Sequence, residues 1–207
     1  MSRLAALVLA AGESRRFGSD KRLARLPDGR ALLDATLALY IEAIGDCFAV
    51  VDEADSALRG RIPALGAECV TLCGARSGRS AAGMGDSLAA GVARIADAGY
   101  AGCVVALGDM PRIAPQTVRR VADALSHHPL VVPVWRGQWG HPVGFGAQFF
   151  PQLRALQGAR GALGVLQGNE ACRCELPVED EGVLLDVDVP DDLLRFGGGS
   201  TPGAQRA

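Results

Sequence analysis

Apolar positions along the chain fall into short continuous runs, separated by stretches in which they recur at three- and four-residue spacing. Leu4 to Leu9, Cys47 to Val51, Glu68 to Leu72, Cys103 to Leu107 and Leu130 to Val134 are the runs, and their length and bounding turn residues predict strands, the first of them buried on both faces. Between them, Leu33, Leu37, Tyr40, Ile41 and Ile44 mark an amphipathic helix after the Asp28-Gly29 turn. Ala54 to Arg61 predicts a short helix. Met84 to Ala98 predicts another, with Leu88, Val92 and Ile95 inward. A third covers Pro115 to Ser126, with Pro115 suited to the first turn and Val118, Val121, Ala122 and Leu125 inward. This alternation predicts a three-layer α/β/α sandwich around a mainly parallel, Rossmann-like sheet.

After Val134 the rhythm loosens. Trp135 to Gly146 holds four glycines, two tryptophans and a proline, a composition that predicts a hairpin or flap. Helices are expected around Gln152 to Leu156 and Ala159 to Gln167, then strands at Cys172 to Leu176 and Leu184 to Val187, and a last helix from Asp191 to Phe196. Gly74 to Gly83, rich in Gly, Ser and Arg, reads as a loop, and Gly197 to Ala207 as a disordered tail. No linker divides the chain, so residues 1–196 are expected to form a single domain.

Composition narrows the function. At 207 residues and 49% hydrophobic content the chain can bury a sizeable core. The formal charge is −2, and no basic run with interleaved aromatics appears, which argues against nucleic acid as a partner. No apolar segment approaches the ~20 residues that span a bilayer. Arg3 precedes an apolar run, but Arg15, Arg16 and Lys21 follow it closely, so it reads as a strand rather than a secretory leader. A cytoplasmic protein is the expectation, with its six cysteines as thiols. Neither Cys69-x3-Cys73 nor Cys172-x-Cys174 has zinc-type spacing, and buried strand cysteines are the simpler reading.

The candidate chemistry begins where the first strand ends. Leu9-Ala10-Ala11-Gly12-Glu13-Ser14-Arg15-Arg16-Phe17-Gly18-Ser19-Asp20-Lys21 runs from an apolar strand into a glycine-bounded loop with three cations. Glycines there let backbone N–H groups approach phosphate oxygens that Arg15, Arg16 and Lys21 can neutralise. It is not a Walker loop, since Lys21 stands three residues past Gly18 and precedes Arg22; nor does the chain carry G-x-G-x-x-G, because Gly83-Met84-Gly85 leads to Leu88. Leu107-Gly108-Asp109-Met110-Pro111 places a carboxylate directly after a strand, either as a hard oxygen ligand for Mg²⁺ or as a turn residue. The neighbouring phosphate-type loop favours the ligand. Asp186 and Asp188 would share one face of a strand by period two, with Asp191 and Asp192 opening a helix. Gly83 to Gly91 starts a helix with small residues, which suits capping on physical grounds or an anion at free N–H groups.

Leu9 to Lys21 resembles the L-A-A-G-x-S-x-R-x-G-x-x-K signature of nucleotidyltransferases with a molybdopterin-nucleotidyltransferase-like fold. Leu107 to Pro111, the Asp186-Val187-Asp188-Val189-Pro190 element, Gly83-Met84 through Ser87-Leu88, and Gly140-His141-Pro142-Val143-Gly144-Phe145 are similar, in order, to motifs of the molybdenum cofactor cytidylyltransferases. Asp20 stands where many members have Pro, and Val189 where they have Thr. The resemblance implies the nucleotide-diphospho-sugar transferase type of sheet and Mg²⁺-dependent transfer of CMP from CTP to a molybdopterin-type acceptor, with a recipient molybdoenzyme as a further partner. It implies Arg15, Lys21 and Asp109 as catalytic, with Asp109 and Asp188 on the metal. It assigns Leu9, Ala10, Ala11, Gly12, Ser14, Gly83 and Ser87 to the nucleotide, and His141 and Pro142 to the acceptor's phosphate or pterin. Trp135 and Trp139 could stack on a pterin or pack on the sheet. In that family Ala at the place of Ala11 goes with cytosine and Gly with guanine. A guanylyltransferase, another cytidylyltransferase, a sugar-phosphate nucleotidyltransferase and a non-catalytic nucleotide-binding chaperone of a molybdoenzyme are the alternatives.

Overall fold

Neither face of β1 (Leu4–Leu9) carries a polar side chain, and the strand accordingly lies inside the sheet between two parallel neighbours. A computed structural model describes residues 3–12, 17–18, 20–72 and 83–196. In these, β1 is followed by α1 (Leu32–Ile44), β2 (Cys47–Asp52), α2 (Ser56–Ala64), β3 (Glu68–Leu72), α3 (Met84–Asp97), β4 (Gly102–Leu107) and α4 (Pro115–Ala124). Then come β5 (Leu130–Trp135), β6 (Gln138–Trp139), β7 (Val143–Gly146), α5 (Phe150–Arg154), α6 (Leu163–Gly168) and β8 (Arg173–Pro177).

The sheet runs β3-β2-β1-β4-β7-β5, with β6 and β8 also paired to β5. Strands β1 to β4 pair in parallel, β8 pairs parallel to β5, and β7 is antiparallel to both β4 and β5. The period of two sorts β1 between two cores. Ala6 and Val8 pack with Leu37, Leu58 and Val121 of α1, α2 and α4, while Ala5 and Leu7 pack with Leu88, Val92, Leu153 and Val165 of α3, α5 and α6. Three layers result, as the hydrophobic pattern predicts.

Two elements differ from the expectation. Residues 135–139 form the expected hairpin, with Arg136 and Gly137, at φ 49° and 77°, making the tight turn from β5 to β6, but residues 143–146 are not part of a flap: they form β7, which fills the place between β4 and β5. Leu184 to Val187 is not a strand. Glu181–Leu184 forms a 3-10 turn whose Gly182 N–H is held by the Asp180 carboxylate at 3.0 Å, and the chain then crosses the strand tips. Val183 and Val187 are both fully buried but in different clusters, so they anchor a crossing segment rather than one face of a strand. The last helix is a 3-10 segment, Pro190–Phe196. Smaller shifts have local causes: the Asp52 carboxylate takes the Ala54 N–H at 2.8 Å, which delays α2 to Ser56. No disulfide occurs among the described residues, where Cys47, Cys69, Cys103, Cys172 and Cys174 are free thiols. Among the same residues no helix is long and apolar enough to cross a membrane.

Candidate active site

From β1 the chain builds outward on one side through β2 and β3, and β4 then returns to the other side of β1. The strand order therefore reverses between β1 and β4, where a crevice opens beyond the C-terminal ends of both strands. Gly108 makes the crevice narrow. Its N–H donates to the Leu9 carbonyl at 2.9 Å, and a Cβ there would stand 3.1 Å from that oxygen and 3.2 Å from the Ala10 side chain. The buried Thr36 hydroxyl, donated from α1, reaches the Gly108 carbonyl at 3.1 Å. Asp109 is thereby held beside Ala10 at the mouth.

A cleft of about 300 Å³ lies there, lined by Leu9, Ala10, Ala11, Gly12, Lys21, Gly83, Ser87 and Asp109 together with Arg22, Met84, Leu107 and Gly108. Eight of the residues expected at a nucleotide site thus come together. Ser14 and Arg15 lie outside the described residues, as does most of the loop from Gly74. Arg22 is a residue that sequence reasoning missed. Its guanidinium bonds the Asp20 carboxylate at 2.8 and 2.9 Å, the Ala10 carbonyl at 2.8 Å and Asp55 at 2.6 Å, tying the loop's return to the β1 tip. The acidic residue beside Lys21 therefore serves Arg22 and caps the 3-10 turn Lys21–Leu23.

Lys21, expected to neutralise phosphate charge, is held here by two carboxylates and a carbonyl. Its Nζ donates to Asp109 Oδ2 at 2.6 Å, to the Val187 carbonyl at 3.0 Å and to Asp188 Oδ1 at 3.4 Å. Asp188 reaches the site because the Val187 N–H donates to the Asp109 carbonyl at 3.0 Å, and because the Asp192 carboxylate accepts the N–H groups of Asp188 and Val189 at 2.9 and 3.0 Å. The Asp188 N–H is thus itself capped. Asp186, left aside in the sequence reading in favour of Asp188, joins them. One carboxylate oxygen each from Asp109, Asp186 and Asp188 lies within 4.8 Å of the others. Partial burial and the nearby charges of Asp109 and Asp188 hold the Asp186 carboxyl above its ordinary range. Asp109 Oδ1 is buried without a hydrogen-bond partner among the described residues. An all-oxygen, anionic donor set with an unsatisfied buried lone pair fits a hard divalent cation.

The Gly83-Met84-Gly85 segment turns out to use its N–H groups internally. Gly83 N–H donates to the Asp86 carboxylate at 2.9 Å and Gly85 N–H to the Gly158 carbonyl at 2.8 Å, so capping explains this helix start better than an anion does. Its glycines answer to close approach, since a Cβ on Gly83 would fall 2.1 Å from the Gly158 carbonyl.

A second cavity, of about 230 Å³, shares Leu9, Met84 and Leu107 with the first and is otherwise lined mostly by apolar groups, among them Val132, Trp139, Val143, Phe145 and Leu166. His141 is its main polar group. Between the pairs Val134↔Trp139 and Val131↔Gly144, residues 132 and 133 of β5 face residues 140–143, and this bulge turns His141 toward the tip of β4. Burial depresses the His141 pKa, against smaller opposing effects of the Val105 backbone and Asp109, and its Nδ1 has no partner among the described residues. Pro142 is buried and does not line the cavity. Of the two tryptophans, only Trp139 reaches it, with the Arg173 guanidinium 4.2 Å from its ring centre; Trp135 is stacked with Arg136 at 4.4 Å.

The sequence profile of the MobA-like NTP transferase domain matches residues 6–174, from β1 into β8. The chain belongs to that family of nucleotidyltransferases. Among solved structures, Rv0371c from Mycobacterium tuberculosis H37Rv is 32% identical, with a TM-score of 0.80 over 94% of this chain and 97% of that one. The same protein in complex with manganese superposes with a TM-score of 0.76 at 30% identity, over 94% of this chain and 98% of that one. The purine catabolism protein PucB of Bacillus subtilis (strain 168) is 29% identical over 116 residues, 55% of this chain; the match spans 56% of PucB's length. Molybdopterin-guanine dinucleotide biosynthesis protein A from Archaeoglobus fulgidus shares the fold of this MobA-like chain, with a TM-score of 0.68 at 22% identity over 93% and 96% of the two chains.

Proposed function

We propose that this MobA-like domain transfers CMP from CTP to the terminal phosphate of molybdopterin, releasing pyrophosphate. The observation that carries the reading is a pair of neighbouring cavities with Leu9, Met84 and Leu107 in common: one rimmed by Lys21, Asp109 and Gly12, the other apolar with a single histidine. A charged donor and a ring-bearing acceptor need those two environments side by side.

The acceptor phosphate is already an anion, so its attack on the α-phosphorus needs positioning rather than a general base. Gly12 and the β1 tip hold the nucleotide, and the Ala11 methyl limits the size of the base. Lys21, with Arg15, balances charge on the departing pyrophosphate. Asp109 and Asp188, joined by Asp186, would hold Mg²⁺, which when bound neutralises phosphate charge. His141, kept neutral by burial, suits a hydrogen bond to a ring heteroatom better than a phosphate. The product would pass to a recipient molybdoenzyme, and the setting is cytoplasmic.

Competition kinetics with CTP and GTP, with molybdopterin as acceptor and pyrophosphate release as readout, test the reading. CTP is expected to win. Ala11→Gly should relax that preference by roughly ten- to two-hundredfold, the worth of one methyl against a crowded base edge. A wild-type preference for GTP would move the chain to guanylyl transfer, and pyrophosphate release with neither nucleotide would remove the catalytic reading.

A further inference from the structure

Lys21 is the only lysine in the chain; every other basic residue of that class is arginine. The exception stands in an unusual place. Its ammonium touches oxygens of three residues, Asp109, Val187 and Asp188, two of them members of the three-carboxylate cluster, and its side chain is 16% exposed. A compact ammonium on a flexible stem can sit among converging oxygens as a metal ion does; a planar guanidinium cannot.

We infer that Lys21 is a counter-ion that holds the metal's place at Asp109 and Asp188 and yields it when a nucleotide's phosphates offer the ammonium another anion. The inference rests on reading these carboxylates as the metal site, but not on CTP or on the acceptor. A divalent ion held by Asp109 and Asp188 would stand close to the Lys21 ammonium, which lies 2.6 Å from Asp109 Oδ2 and 3.4 Å from Asp188 Oδ1, and the two cations would repel strongly in a site partly screened from water. Binding of the divalent ion and departure of Lys21 are therefore one exchange. Lys21 offsets part of the charge that Asp109, Asp186 and Asp188 bring together, and so lowers the affinity of the nucleotide-free site for a divalent ion. The backbone of Lys21 need not move, since Asp20 and Arg22 fix the 3-10 turn on either side of it. Only the four-carbon stem swings, between the carboxylates and the cleft that Lys21 also lines. Metal and nucleotide are thereby coupled through one side chain: each lowers the cost of the other's arrival.

The test uses Mn²⁺ alone, titrated into the full chain without nucleotide and followed by the electron paramagnetic resonance of the free ion. Lys21→Ala is expected to bind Mn²⁺ at least tenfold more tightly than wild type. In wild-type chain labelled with ¹³C-lysine, the single Cε signal should move toward that of a solvated lysine as Mg²⁺ is added, with the midpoint of metal binding. Asp109→Asn separates the two layers of argument. Mn²⁺ binding that Asp109→Asn leaves intact overturns the metal site and this inference together. Binding that needs Asp109 but is not tightened by Lys21→Ala, or a lysine signal that stays put while Mg²⁺ saturates, overturns the inference alone. If Lys21→Ala does not fold, Lys21→Met and the wild-type lysine signal decide in the same way.

Discussion

The half of the molecule up to β4 and the half that follows it are built on different rules, and the active-site candidate straddles the seam. In the first half each strand is returned by a helix to a parallel neighbour, so every run of apolar residues lies against another run of the same kind. In the second, β7 enters between β4 and β5 and runs antiparallel to both, and a bulge at 140–143 separates it from β6. The chemistry divides along the same line. Lys21, Arg22 and Asp109 come from the first half and rim the cleft, whereas the second half contributes apolar walls, Trp139 and a histidine that burial keeps neutral. Asp186 and Asp188 are the exception, carried back to the first half by the bond from Val187 N–H to the Asp109 carbonyl and by those from Lys21 to the Val187 carbonyl and Asp188. A regular frame holds the charges, and irregular backbone shapes the wall that faces them.

The sharpest break of this division is Asp109→Asn. The amide keeps the shape at the β4 tip but removes the charge from the one carboxylate that is both buried at Oδ1 and bonded to Lys21. Nucleotidyl transfer should fall by orders of magnitude, with thermal unfolding shifted little. Turnover within a few fold of wild type at ordinary Mg²⁺ would make Asp109 a turn residue and take the chemistry away from the first half.

Gly140→Ala probes the other half. A Cβ at this position would meet the Val183 carbonyl at 2.5 Å and the Val183 side chain at 2.8 Å, both fixed by the core, so the 140–142 bulge must shift. Overpacking of this kind costs roughly 1–3 kcal/mol. Denaturant unfolding should register that loss, and steady-state kinetics should show a raised KM for the acceptor beside a KM for CTP within twofold of wild type. Equal changes in both constants would mean that the two cavities do not serve two substrates.

The contrast also explains what could be read from the amino-acid sequence. β1, β3 and the cores of α1, α3 and α4 were legible because their burial is decided locally: Leu4 to Leu9 is apolar on both faces whichever neighbours it finds. Val143 to Gly146 was not, since its place between β4 and β5 is a pairing across distant residues that two glycines disguise as loop. Leu184 to Val187 misled in the opposite sense, being apolar enough for a strand while anchored in two cores. At the site, Asp109 and Asp188 were readable from their motifs. Asp186 was set aside although it is two residues away, and the Lys21–Asp109 pair, 88 positions apart, leaves no trace in spacing. Thr36, whose hydroxyl steadies Gly108 from within α1, looks in the sequence like any small helix residue.

The smallest effect expected concerns His141 and pH. Burial pushes its pKa below the ordinary value of about 6.5, so the native chain favours the neutral imidazole. A histidine depressed in the folded state contributes stability that is fully present above its unfolded pKa and is lost as pH falls through its folded pKa, with about 1.4 kcal/mol at stake per unit of depression. Wild-type stability should therefore decline as pH is lowered below about 6.5. In His141→Asn, which keeps a hydrogen-bonding side chain without a titrating one, that part of the decline should vanish. Other carboxylates titrate in both proteins, so the informative quantity is the difference between them, measured by urea unfolding from pH 8 to pH 5. A difference that stays constant over this range would mean that His141 is charged or hydrated in the native state. The second cavity would then present a cation, its wall would suit the acceptor's phosphate rather than its ring, and the division between a charged half and an apolar half would fail at its one polar point.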